Sequence, residues 1–128
     1  MWTYEFYHDE KGQEPVKDFL ISLPPQPRGK VLQAIQILSE FGINLPFPYS
    51  SQVEGRLREL RAHYGKNQYR ILYYCDANQV FVLLHAFQKR TQKLPNREIQ
   101  IATERMRIDQ QPKEFAHEES ENESPDVS

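Results

Sequence analysis

Residues 1–8, MWTYEFYH, alternate in character: Trp2, Tyr4 and Phe6 share one parity, and Thr3, Glu5 and Tyr7 share the other. A period of two predicts a first strand. Residues 9–13 are a polar turn containing Gly12, and Glu14-Pro15 then opens a short helix with Val16, Phe19, Leu20 and Leu23 along one face. Pro24, Pro25 and Pro27 are expected to end it. Over 28–41 the apolar positions Val31, Ala34, Ile35, Leu38 and Phe41 follow helical spacing, and Gly42 stands where a C-terminal cap belongs. The stretch 43–55, with two prolines, two serines and a glycine, reads as a loop.

Three strands are predicted next, over 56–63, 69–75 and 79–87, separated by Gly65-Lys66-Asn67 and Asp76-Ala77-Asn78. The last, VFVLLHAF, is apolar on both parities, which places it inside the sheet. After Pro95, the segment 96–108 carries Ile99, Ala102 and Met106 as a helical stripe. The order β-α-α-β-β-β-α with short turns implies an α+β protein: a small antiparallel sheet with the N-terminal helices packed on one face.

Length and charge refine this picture. The 128 residues suit one domain, and 38% hydrophobic content suffices for one modest core. The net charge of −2 conceals two unlike regions. From Lys113 onward one base faces six acids, a sum of −5, so residues 1–112 carry +3. Within them, residues 56–97 hold nine Lys/Arg against Glu59 and Asp76, a local +7. The expected division is a folded domain over 1–108 and an acidic, disordered tail over 109–128, where apolar residues are sparse.

Several classes drop out. A single cysteine, Cys75, excludes internal disulfides and Cys-rich zinc sites. No apolar run approaches the ~18–20 residues of a membrane span, and residues 1–13 lack the pattern of a signal peptide. A cytoplasmic protein with no membrane partner is expected. GxGxxG, P-loop, HExxH and GxSxG motifs are missing. His8, His63, His85 and His117 share no metal-ligand spacing, and His85, inside an apolar strand, reads first as a hydrogen-bonded core residue.

What remains is basic and aromatic. Residues 56–70 carry Arg56, Arg58, Arg61, Lys66 and Arg70 interleaved with Tyr64 and Tyr69, and Lys89, Arg90 and Lys93 follow the last strand. Guanidinium forks grip phosphate and tyrosine rings stack on unpaired bases. Alternation along the strands is expected to bring Arg58 and Arg70 to one face, with the basic cluster after the last strand closing the same concavity. The competing reading is a solvated polar sheet face.

The combination LRELR (57–61), YRILYY (69–74) and LLHAFQKRTQK (83–93) resembles the RelE/ParE superfamily of bacterial toxins, and more closely its HigB-like branch, across residues 1–108. That resemblance implies the toxin of a type II toxin-antitoxin system. It would be a metal-independent mRNA endoribonuclease needing no cofactor, acting on translated mRNA at the ribosome and neutralised by a DNA-binding protein antitoxin. By the same resemblance Arg70, Arg90 and Lys89 would serve catalysis, and Arg58, Arg61, Lys93 and Tyr73 would contact RNA. The general base stays open between a lysine, a tyrosine, Glu59 and His85. Glu59 has a structural alternative as an ion-pair partner of Arg61 or Arg70. The C-terminal tyrosine that stacks or donates in RelE itself has no counterpart, because 97–108 contains no Tyr. Two other functions stay in contention: a ParE-type poison of DNA gyrase, and a degenerate toxin fold kept as a binding module.

Overall fold

A computed structural model describes residues 1–112. Its elements are β1 (Thr3–Phe6), α1 (Pro15–Ser22), α2 (Pro25–Phe41), a 3-10 turn (Gly42–Asn44), β2 (Ser50–Glu54), β3 (Leu57–Tyr64), β4 (Asn67–Cys75), β5 (Val80–Lys89) and α3 (Asn96–Asp109). They build an α+β fold on one five-stranded mixed sheet, in the order β1-β5-β4-β3-β2. The α+β class, the helices and the three long strands agree with the pattern of the sequence; three details differ.

The sheet is not wholly antiparallel. Strands β2 to β5 form an antiparallel meander, but β1 lies parallel to β5, with Thr3 opposite Val80 and Phe6 opposite Leu83. Parallel neighbours need a long crossover, and here everything between β1 and β5 supplies it. The segment expected to be a loop contains β2, where Ser50 pairs with Leu60 and Gln52 with Arg58. SSQVE offers a single apolar residue, so this edge strand carries no hydrophobic alternation; pairing with β3 and a buried Ser50 hold it. The Ser50 hydroxyl lies 2.6 Å from the Tyr73 hydroxyl.

The prolines, finally, start α2 as much as they end α1. Pro25 and Pro27 occupy the first turn of α2, where backbone N–H groups have no intrahelical acceptor and proline sacrifices nothing. At the other end Gly42 has a φ of +59°, and a Cβ there would run into the Trp2 indole. Trp2 in turn donates from its amide to the Ser39 carbonyl at 2.8 Å, fastening β1 to α2.

Both faces of the sheet are covered. Val16, Leu20, Val31, Ile35 and Leu38 from α1 and α2 pack on Leu60, Ile71, Tyr73, Phe81 and Leu83. On the other face Ala102, Ile99 and Met106 from α3 pack on Leu57, Leu72, Tyr74, Val82 and Leu84. Two covered faces explain why β5 is apolar on both parities. The stripe residue Phe41 is the exception on α2, since it is 52% exposed. Helix α3 covers only part of its face, and the uncovered end is where the charged residues gather.

Candidate nucleic-acid interface

The β3–β4 hairpin turns at Gly65-Lys66 and pairs Tyr64 with Asn67, which forces Arg61 opposite Arg70 and Glu59 opposite Leu72. In the next pair Arg70 faces Phe87 and Gln68 faces Lys89. Alternation therefore directs Glu59, Arg61, Gln68, Arg70 and Lys89 to the face that α3 packs on, at the end it leaves open. Arg61, Lys66, Gln68 and Arg70 line one side of a groove of about 570 Å³ there, and Lys89, Arg90, Thr91 and Gln92 line the other.

Two charged side chains at this end are buried: Arg70 is 3% exposed and Glu59 is 7%. Glu59 Oε1 stands 3.7 Å from Arg61 Nε and 3.8 Å from Arg70 Nε, and accepts a hydrogen bond from Ser51 Oγ at 3.4 Å. Arg70 Nη1 donates to the Tyr69 carbonyl at 2.9 Å and to Gln68 Oε1 at 3.4 Å. Among the described residues, Glu59 Oε2 and Arg70 Nε are the buried side-chain polar atoms with no hydrogen-bond partner. Each such atom costs about 1–3 kcal/mol, more when charged, until a partner arrives.

The surplus of positive charge is felt by the cations themselves. Burial, and then Arg61, disfavour the charged form of Arg70, against an opposing pull from Glu59. Burial lowers the Lys89 ammonium pKa below the usual lysine range; Arg70 and Arg61 push the same way and Glu59 opposes. One carboxylate is thus shared among three cations, with Arg90 exposed at the rim. An anion with several acceptor oxygens would relieve the repulsion and satisfy the donors together.

The expected pairing of Arg58 with Arg70 on one face is incorrect. Arg58 is opposite Tyr73, on the α1/α2 face, and donates from Nε to Ser50 Oγ at 3.1 Å. A three-residue spacing in a strand puts Arg58 and Arg61 on opposite faces, and the hairpin register selects Arg61. Tyr73, 1% exposed, is a core residue on the Arg58 side and does not reach the groove. Lys93 is exposed beyond the groove's lining. Gln68 was not singled out from the sequence, although it has the same strand parity as Arg70.

His85 belongs to a different cluster under α3. Its Nε2 is 2.6 Å from Glu98 Oε1, and Arg105 Nη1 reaches Nδ1 at 3.3 Å while donating to the Leu84 carbonyl at 2.9 Å. Arg105 has only donors to offer, so Nδ1 accepts and Nε2–H donates to Glu98. The ring stacks on Phe87 with centroids 5.5 Å apart. Burial lowers the His85 pKa below its usual value; Glu98 opposes this and Arg105 adds to it.

Fold and groove together describe a small α+β protein with a cationic, anion-seeking cleft at one end of its sheet. Residues 18–107, from within α1 nearly to the end of α3, match the family described as Phage derived protein Gp49-like (DUF891). The chain belongs to that family, a RelE/HigB-like family of toxins in toxin-antitoxin systems, and membership implies a cognate antitoxin. Members of the RelE superfamily are generally ribonucleases. No curated protein matches the chain. Among the described residues, no helix is long and apolar enough to cross a membrane.

Proposed function

We propose that the protein is a metal-independent endoribonuclease of HigB type, cutting translated mRNA in the cytoplasm and held in check by a DNA-binding antitoxin. The folded toxin domain would be 1–108. The observation that carries this reading is the pair of unsatisfied buried atoms, Glu59 Oε2 and Arg70 Nε, beside a groove lined with cations.

In this reading the scissile phosphate displaces no metal and needs none. Arg61 and Arg70 hold its non-bridging oxygens, and their positive charge is worth most as the phosphorane develops its extra negative charge. Glu59 accepts the proton of the 2′-hydroxyl as that oxygen attacks the adjacent phosphorus. Lys89, whose ammonium burial and neighbouring cations make more acidic, gives a proton to the departing 5′-oxygen, with Arg90 steadying that side. One P–O bond forms and one breaks, leaving a 2′,3′-cyclic phosphate and a free 5′-hydroxyl. His85 has both ring nitrogens committed to Glu98 and Arg105, which favours Glu59 over it as base.

The test is a translating extract programmed with a defined transcript. The expected result is internal cuts whose new ends are cyclic phosphate and 5′-hydroxyl. Intact transcripts, with gyrase supercoiling inhibited instead, would replace the nuclease by the ParE-type poison.

A further inference from the structure

On the opposite face of the same sheet end lies a second concavity, of about 590 Å³. The α1–α2 junction contributes Pro24, Pro25 and Gln26, and the sheet contributes Tyr64, Asn67 and Gln88, with buried Tyr69 beneath. We propose that this is a nucleobase subsite, receiving an unpaired base of the strand whose phosphate lies in the cationic groove; it rests on the nuclease reading above.

Three observations support it. The first is continuity. Tyr69 pairs with Gln88, and the next pair, Gln68 with Lys89, points to the other face. Consecutive Cα atoms are about 3.8 Å apart, so Gln88 and Lys89 open the two sites back to back across the hairpin rim. A flexible single strand can cross that rim, whereas a duplex cannot splay a base around it.

The second is lining chemistry. The groove is crowded with cations, but the second concavity has no charged side chain in its lining. Proline and tyrosine give flat apolar surfaces. The carboxamides of Gln26, Asn67 and Gln88 each offer a donor and an acceptor, as the edge of a base does. A phosphate or metal ion finds no counter-charge here; a flat, neutral ring with a polar edge finds both kinds of contact.

The third is preorganisation. The Tyr64 hydroxyl donates to Gln26 Oε1, bridging the end of β3 to the first turn of α2 and fixing the ring at the side of the concavity. Tyr69 is held below by edge contact with Phe19, at 6.4 Å between centroids. A platform already fixed loses little freedom when a base stacks on it.

Fluorescence anisotropy with labelled single-stranded hexaribonucleotides, and with a matched abasic ribose-phosphate strand, tests the subsite. Wild type should bind the base-bearing strands more tightly than the abasic one. Tyr64→Leu should weaken the base-bearing strands by roughly 5- to 100-fold, the range of one lost stacking partner, and leave the abasic strand unchanged. Gln88→Ala, a surface change that guards against misfolding of the first variant, should alter the ranking among the four homopolymers. Arg61→Ala should weaken every strand, abasic included. If folded Tyr64→Leu and Gln88→Ala proteins keep the full wild-type advantage and ranking, the subsite is overturned while the nuclease reading stands. A wild type that binds no strand, or binds the abasic strand as tightly as the others, overturns the subsite, and the transcript-cleavage test decides the nuclease reading separately.

Discussion

Two polar clusters share the α3 face of the sheet, a half-buried one around His85 and a buried one around Glu59, and they are finished to different degrees. Around His85, both ring nitrogens have partners, Glu98 and Arg105 answer one another through the imidazole, and the Phe87 ring closes the stack. Around Glu59, one carboxylate is spread over Arg61 and Arg70 at 3.7 and 3.8 Å, too far for good hydrogen bonds, and two buried atoms stay orphaned. Satisfied buried networks rigidify a fold. A network with one acceptor and one donor unsatisfied is costly until something completes it, and Arg70 lines the groove from which a ligand can approach. The comparison separates a cluster that ties α3 to the sheet from one that, in the proposed reading, takes its missing partners from the RNA.

The strongest way to break the comparison is through Glu59. Glu59→Gln should preserve shape while removing the proton acceptor, and transcript cleavage should fall by ~10²–10⁴. RNA affinity measured by anisotropy should hold or rise, because the groove becomes more positive. Cleavage close to wild type would return Glu59 to a purely structural role.

The satisfied cluster should respond in stability instead. Glu98→Ala leaves the His85 Nε2–H without its acceptor and should cost about 1–3 kcal/mol in urea unfolding. The same cluster sets a pH dependence. The folded His85 pKa lies below its ordinary value of about 6.5, so the unfolded chain takes up the proton first as pH falls. Stability from this site is therefore whole above about pH 6.5 and declines as pH drops toward the lowered folded value. His85→Gln should flatten that decline relative to wild type; an unchanged slope would contradict the neutral tautomer assigned to His85.

The smallest effect concerns the acidic end. Residues 113–128 lie outside the described structure, and their expected disorder stays an expectation. With a charge of −5, we propose that they compete weakly with RNA for the groove. Their deletion should tighten RNA binding at low salt, and the gain should vanish as salt rises, because the Debye length shrinks to about 10 Å at 0.1 M. A gain that persists in high salt would point to another cause.

Much of this architecture was readable from residue patterns. The α3 stripe, the two-sided apolar β5 and the turn at Gly65-Lys66 all carry strong local signals, and they set the frame. Edge strand β2 was illegible because its residues are polar and it exists through pairing alone. The basic groove was legible as a composition, with Arg70, Lys89 and Arg90 all lining it. Arg61 is legible there too, and a two-residue hairpin after Tyr64 makes it, not Arg58, the partner of Arg70. His85 was readable as a hydrogen-bonded residue of an apolar strand, but its partners were not. Glu98 and Arg105 come from another element, and only the docking of α3 brings them to the ring.

The account is tested most directly by measuring transcript cleavage side by side for Arg70→Ala and His85→Gln, at equal folded fraction. It predicts a loss of ~10²–10³ for Arg70→Ala, the scale of removing one preorganised donor to a developing anion, and near wild-type cleavage for His85→Gln. Full cleavage by Arg70→Ala, with collapse in His85→Gln, would move the chemistry to the satisfied cluster and contradict the assignment of the groove.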